Sequence, residues 1–255
     1  MPTALITGGT SGIGAAFARA LAARGDDLVL VARDEARLGR TAGELRAAYG
    51  VQVETFVADL GDRDDTTRVA ARLEDPARPV DLLINNAGFG VPYALANPDP
   101  SPHEQALDVM VRAVLVLGGA AARAMRARGS GAIVNVSSTA GFVAMGAYSA
   151  IKAWVTAYSE GLANELHGSG VTVTALCPGW VRTEFHERAA IGTSRIPELM
   201  WLEAEPLVEA CLADVARGKV ISIPSRRYQA LMLAVRLAPR VAVRAASRAL
   251  SSGRH

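Results

Sequence analysis

The stretch TALITGGTSGIG, Thr3 to Gly14, decides the fold. Its first five residues, TALIT, are mostly apolar or β-branched and read as a short buried strand. A glycine-rich run follows immediately, and AFARALAAR then takes up a helical pattern closed by Gly25 as a C-cap. A strand that turns through glycines into a helix gathers backbone N–H groups and the positive end of the helix dipole at one point. Glycine lets that turn be tight and lets a pyrophosphate approach the backbone closely.

The same alternation runs outward along the chain. DLVLVA (27–32), VQVETFVA (51–58), VDLLIN (80–85), GAIVNVS (131–137), VTVTALC (171–177) and KVISIP (219–224) read as further strands. Most are apolar throughout, as strands covered on both faces must be, and the segments between them are long enough for crossover helices. The expected fold is α/β: a doubly wound parallel sheet of about seven strands with helices on both faces. It occupies a single dinucleotide-binding catalytic domain over 1–224, followed by a basic helical extension over 225–255. Asp62 and Asp81 sit where turns should fall, and NPDPSP (97–102) should be a loop.

A chain of 255 residues, half of them apolar, can bury a substantial core in one domain. The first apolar run starts at Thr3 without a basic segment before it. No uninterrupted apolar stretch approaches the ~20 residues a spanning helix needs, so a cytoplasmic location is expected. Cys177 and Cys211 are too few for a disulfide framework and read as packing residues. No residue is assigned to a metal.

Of 27 basic residues only Lys152 and Lys219 are lysines. Lys152 lies in AYSAIKAW (147–154), four residues after Tyr148, so on a helix the phenol and the amine share a face. Work as an acid or base near neutrality asks a tyrosine pKa to fall from about 10 by about 2–3, or about 3–4 kcal/mol. One ammonium at ~4 Å and an effective dielectric of ~20 is worth about 4 kcal/mol. The sequence therefore predicts that Lys152 acidifies Tyr148.

In dinucleotide folds an acid about 20 positions past the glycines holds the ribose 2′-hydroxyl, whereas an arginine accommodates a 2′-phosphate. Strand two ends VLVAR, with Ala32 where the acid would sit and Arg33 next. That favours NADP(H), with NAD(H) as the alternative should Asp34 replace the missing acid.

TGGTSGIG, NNAG (85–88), VSS (136–138), Tyr148 with Lys152, and PGWVRT (178–183), in that order, resemble the short-chain dehydrogenase/reductase family over residues 3 to about 223. Within it the chain is similar to the ketoacyl-reductase-like and hydroxysteroid-dehydrogenase-like branches. The resemblance implies a Rossmann-type fold and Ser138, Tyr148 and Lys152 as the catalytic set. It implies cofactor contacts at Gly8, Thr10, Ser11, Gly12, Ile13, Gly14, Arg33, Asp59, Leu60, Asn86, Ala87, Gly88, Pro178, Gly179, Val181 and Thr183, besides Tyr148 and Lys152. Asp59 would lie near the adenine, Asn86 to Gly88 beneath the ribose, and Val181 and Thr183 at the carboxamide and pyrophosphate. Hydride would pass between nicotinamide and a carbonyl carbon while Tyr148 protonates the oxygen and Ser138 steadies it.

Two features depart from the family pattern. Met110 stands where many members carry an asparagine of a proton relay, and Ser138 and Tyr148 are ten residues apart, about three fewer than usual. The loop TAGFVAMGA must therefore be short. After PGWVRT, where the family places its substrate lid, Phe185, Ile191, Leu199, Met200, Trp201 and Leu202 point to a lipophilic or acyl-type carbonyl as the small-molecule substrate.

The remaining signal is charge. Residues 215–255 carry nine Lys/Arg and no Asp/Glu, and Arg236, Arg240, Arg244 and Arg248 form a slanting stripe at four-residue steps. Pro239 would start a second helix or kink the first. A solvated face or subunit contact, peripheral membrane binding, and docking of an acidic acyl-carrier protein are the readings this stripe allows. The family resemblance implies a homodimer or homotetramer. A basic stripe without interleaved aromatics does not point to nucleic acid. The rivals to an NADP(H)-dependent reductase are an NAD-preferring alcohol dehydrogenase and a non-catalytic nucleotide-sensing module.

Overall fold

A computed structural model describes residues 1–184 and 196–251. Strands β1 (Thr3–Thr7), β2 (Asp27–Ala32), β3 (Val53–Val57), β4 (Leu82–Asn85), β5 (Gly131–Val136) and β6 (Val171–Leu176) fall on the apolar runs. Two short strands, β7 (Trp180–Val181) and β8 (Trp201–Leu202), precede β9 (Ile221–Ser222). The main sheet is parallel in the order β3-β2-β1-β4-β5-β6-β9. This is the doubly wound, Rossmann-type α/β fold that the alternation predicts. β9 is shorter than KVISIP suggests because Lys219 still belongs to the preceding turn, its N–H donating to the Asp214 carbonyl at 3.0 Å.

Helices α1 (Gly12–Ala23), α2 (Glu35–Tyr49), α3 (Arg63–Glu74), α4 (Ser101–Leu107), α5 (Ala113–Arg128), α6 (Ala147–Glu165) and α7 (Ala204–Ala216) surround the sheet. After β9 come α8 (Arg226–Leu237) and α9 (Arg240–Ser251), parted at Pro239. Gly25, at φ +86°, follows the end of α1 as expected of a C-terminal glycine. Asp62 caps α3 by accepting the Asp65 N–H at 2.9 Å.

Strand periodicity divides the core. Leu5, Val29, Leu83 and Ile133 pack with side chains of α3, α5 and α6 on one face. Ala4, Ile6, Leu28, Leu30 and Ile84 pack with α1, α2 and α7 on the other. Full burial of each Leu or Ile contributes about 1.5–3 kcal/mol. Residues 101–128 run through a π turn at Asp108–Arg112 and are long and apolar enough to cross a membrane, but half of that apolar window is buried against the sheet.

Strand order reverses between β1 and β4, which opens a crevice at the carboxyl ends of the strands. All strands of the sheet are parallel, so the segments leaving β1, β2, β3, β4, β5 and β6 emerge on that one edge. The glycine turn, Arg33, Asp59, NNAG, VSS, Tyr148 with Lys152, and PGWVRT all lie at those strand ends, in the segments that leave them or in the first turns of the helix that follows, whereas the arginine stripe lies beyond β9.

Candidate active site

The glycine turn is built by close approach. Gly8 (φ +66°) and Gly12 (φ +53°) adopt left-handed backbone, and a Cβ on Gly14 would lie 2.2 Å from the Gly8 carbonyl oxygen. Asn86 fastens the turn from β4: its Nδ2 donates to the carbonyls of Thr7 at 2.9 Å and Gly8 at 3.2 Å. Thr7 Oγ1 in turn accepts the backbone N–H of Asn86 at 2.9 Å and of Ala87 at 3.0 Å. From α2, Arg37 Nε donates to Thr10 O at 3.1 Å while its guanidinium pairs with Glu184 at 2.7 Å. Thr10, Ser11 and Ile13 thus lie in a turn held from three sides. The missing Cβ atoms let the turn fold tightly onto itself at the N-terminus of α1, where backbone N–H groups and the positive end of the helix dipole suit a pyrophosphate.

The ends of β2 and β3 meet beside it. The Arg33 side chain is two-thirds exposed, and its Nη1 lies 3.8 Å from Asp59 Oδ2. Asp59 Oδ1 accepts the Gly61 N–H at 2.9 Å. Asp34 is occupied as the N-cap of α2, accepting the Arg37 N–H at 2.9 Å. Leu60 and Val181 have buried side chains and serve packing, so only their backbones border the crevice. Gly88 lies so close to Met110 that a Cβ there would be 3.0 Å from its sulfur. Met110 is 1% exposed, a core side chain in the middle of the π turn at 108–112.

Pro178 accepts both the N–H (2.9 Å) and the hydroxyl (3.1 Å) of Thr139, which ties the segment after β6 to that after β5. Thr183 lies against Gly12, so PGWVRT faces the glycine turn across the crevice.

Ser138, Tyr148 and Lys152 come together at the end of β5. Ser138 and Tyr148 are hydrogen-bonded through their side chains. Ser138 Oγ also accepts the Ala140 N–H at 3.1 Å. Ser137 points away and bonds to Lys152 O (2.7 Å) and Thr156 Oγ1 (2.7 Å), which leaves Ser138 as the serine facing the tyrosine. Lys152 Nζ lies 5.6 Å from the Tyr148 ring centroid and donates to Val136 O at 2.8 Å. Tyr148 and Lys152 therefore share a helical face, as their spacing predicts.

Their electrostatics correct the expectation. Burial pushes the Tyr148 phenol up to about 12, against a smaller lowering by the Ser138 hydrogen bond. Burial also draws Lys152 down to about 8. Removing both groups from water costs each charged form more than the pair recovers at this separation. Tyr148 is accordingly a protonated donor at neutral pH rather than an acidified phenol.

The short span from Ser138 to Tyr148 is resolved by contact. Residues 139–142 form a 3-10 turn, and a Cβ on Gly141 would lie 2.8–2.9 Å from the Lys152 carbonyl and the Ala153 nitrogen. The loop lies flat on α6, which only glycine permits.

Phe142, Trp180, Met200 and Leu202 pack around Ala175, Cys177, Ile223, Tyr228 and Met232, giving this end of the crevice an apolar wall. Leu199 is exposed, and Trp201 pairs edge-on with Trp180 at 6.0 Å. Phe185 and Ile191 lie outside the described residues, as do the side chains of Arg240 and Arg248. Tyr228 anchors the wall: its hydroxyl donates to Met200 O (2.8 Å) and accepts the Trp180 N–H (3.0 Å), while its ring fills the place of a Cβ on Gly179. Tyr228, Arg37, Glu184 and Gly141 were not read from the sequence. Each acts through a partner more than ten residues away, and spacing carries no trace of such contacts.

A family model described as short chain dehydrogenase matches residues 2–192. Galactitol 2-dehydrogenase (L-tagatose-forming) of Cereibacter sphaeroides is 38% identical over 211 residues, 80% of each chain. A short-chain dehydrogenase from Sphingobium yanoikuyae in complex with NADPH superposes with TM-score 0.84 at 39% identity, over 92% of this chain and 93% of that one. The bulky-bulky ketone specific alcohol dehydrogenase from Comamonas testosteroni gives 0.79 at 34%, over 92% of each.

Proposed function

The chain belongs to the short-chain dehydrogenase family and is an NAD(P)-dependent oxidoreductase; from that premise we propose that it interconverts a lipophilic ketone and its secondary alcohol using NADP(H). The observation that carries the reading is the Ser138–Tyr148 hydrogen bond with Lys152 behind it, on the strand edge that also bears the glycine turn. The nicotinamide, when bound, supplies or accepts the hydride.

In reduction, Ser138 donates a hydrogen bond to the substrate oxygen and Tyr148 gives that oxygen its phenolic proton. The Lys152 ammonium, charged below about 8, stabilises the phenolate left behind. In oxidation the same tyrosine, as phenolate, takes the hydroxyl proton. The apolar wall of Phe142, Trp180 and Met200 favours a bulky apolar ketone. The Comamonas relative's ketone supports that choice, while the galactitol relative marks the polyol alternative.

Arg33 supports NADP(H): it is exposed at the end of β2, and Asp34, the acid that could bind a 2′-hydroxyl, is committed to capping α2. Arg33→Ala is expected to weaken NADPH binding about 10–100-fold and leave NADH nearly unchanged. Equal losses for both cofactors would favour the NAD-preferring reading.

The decisive assay is a panel of ketones and polyols followed at the nicotinamide absorbance. Tyr148→Phe should lower turnover about 10²–10⁴-fold with NADPH affinity retained. Near-normal turnover in that variant overturns the scheme. Cofactor binding without turnover on any carbonyl would support the nucleotide-sensing module.

A further inference from the structure

We propose that α8 and α9 form an interfacial anchor that seats the protein on an anionic lipid bilayer, with the substrate crevice beside the membrane. Helix α8 has two apolar faces. Tyr228, Met232 and Val235 turn inward and pack on the core. Arg226, Ala230, Leu233, Ala234 and Leu237 follow i, i+4, i+7, i+8, i+11 spacing, make one opposite face, and are all exposed. Leu237 is 77% exposed, and Val241, just past Pro239, is 64% exposed. Beside this face Gln229 is also exposed, its amide turned back to donate to the Ile223 carbonyl at 2.8 Å.

An apolar face alone would not name its occupant. Charge does. Residues 215–255 carry nine Lys/Arg and no Asp/Glu, and Arg226, Arg227, Arg236 and Arg244 are exposed on this helix pair. A second copy would bring the same nine cations against it. Anionic headgroups attract them, each worth about a fivefold gain in partitioning, while arginine stems let the guanidinium groups reach the headgroups as leucines enter the acyl boundary.

The anchor adjoins the crevice. The Arg236 guanidinium lies 5.0 Å from the Phe142 ring centroid, and Ser247 Oγ accepts the Ala144 N–H at 3.4 Å. Both contacts fall in the loop between Ser138 and Tyr148. A membrane-seated cleft would receive a lipophilic ketone directly. That advantage rests on the proposed function; the docking itself does not.

The test is flotation of the full chain, without cofactor or substrate, on vesicles of phosphatidylcholine with or without one-third phosphatidylglycerol. Binding is expected on the anionic vesicles alone at about 50 mM salt and should fall at least about tenfold at about 500 mM. Arg226→Ala with Arg244→Ala should lower partitioning about twentyfold. Leu233→Glu with Leu237→Glu should abolish it while leaving turnover of a soluble ketone unchanged. Indifference to anionic vesicles, or equal binding to neutral ones, overturns the proposal even should the glutamate variant fail to fold. Two further outcomes also overturn it when vesicles are ignored: an oligomer split by the glutamate pair in sedimentation velocity, or capture of an acidic carrier protein. Flotation does not read turnover, so its failure and failure of the oxidoreductase reading are separate results.

Discussion

Lys152 is buried, charged at neutral pH, and held by one carbonyl bond, which makes it costly to the fold. Its pKa falls from 10.5 to about 8 on folding, so the folded state binds its proton less readily than the unfolded one. Below about pH 8 both states are protonated and the cost is largest, about 3 kcal/mol. Between about 8 and 10.5 the folded state is neutral first and the cost fades. Lys152→Met is therefore expected to abolish turnover yet raise the unfolding free energy at pH 7 by about 2 kcal/mol, after the lost hydrogen bond to Val136 is counted. Urea denaturation should show this gain shrinking toward pH 10. A destabilised variant at pH 7 would contradict it. Tyr148 runs the other way: with its pKa raised from 10 to about 12, its contribution is full below about 10 and is lost as pH rises to 12. The pairing of Tyr148 with Lys152 was legible from a four-residue spacing. The balance of desolvation against attraction was not, because burial is set by β5 and the 139–142 turn rather than by neighbours in sequence.

Among elements, the segment between β5 and α6 decides how Ser138 meets Tyr148. Its shortness was visible as a count of residues, but the device that makes it fit is the bare Cα of Gly141 against the α6 backbone. Gly141→Ala must lift the turn by some tenths of an ångström and carry Ser138 with it. The expected result is a fall in kcat of about tenfold or more, with NADPH affinity within about twofold. Unchanged kcat would show that the turn tolerates the displacement. The π turn at 108–112 illustrates a different gap in legibility. The sequence marks Met110 as a departure from the family pattern, and the structure makes it a buried thioether against Gly88. No periodicity announces that contact.

The molecule as a whole joins its C-terminal helices to its crevice through Tyr228. One hydroxyl bridges Trp180 and Met200, and one ring covers Gly179, so a single side chain of α8 holds two segments, 179–180 and the one at 200, that are distant in sequence. Tyr228→Phe keeps the ring and removes both of the hydroxyl's hydrogen bonds. A loss of about 1–3 kcal/mol in unfolding free energy is expected, together with a raised KM for ketone. Thermal unfolding and steady-state kinetics would check the two effects, and a variant unchanged in both would show that the clamp is dispensable.

By itself the sequence determined the order of strands and helices, the glycine turn, and the residue types at the reacting centre. These follow from local rules: alternation of apolar runs, the backbone freedom of glycine, and the four-residue repeat of a helix face. The tertiary structure alone decided which serine faces Tyr148, that Asp34 is spent on a helix cap, and that Arg37 and Tyr228 brace the crevice. It also set the charge states of Tyr148 and Lys152. All of these depend on groups brought together by a parallel sheet whose carboxyl edge collects segments far apart in the chain, and the water that such an edge excludes is a property of the assembled fold.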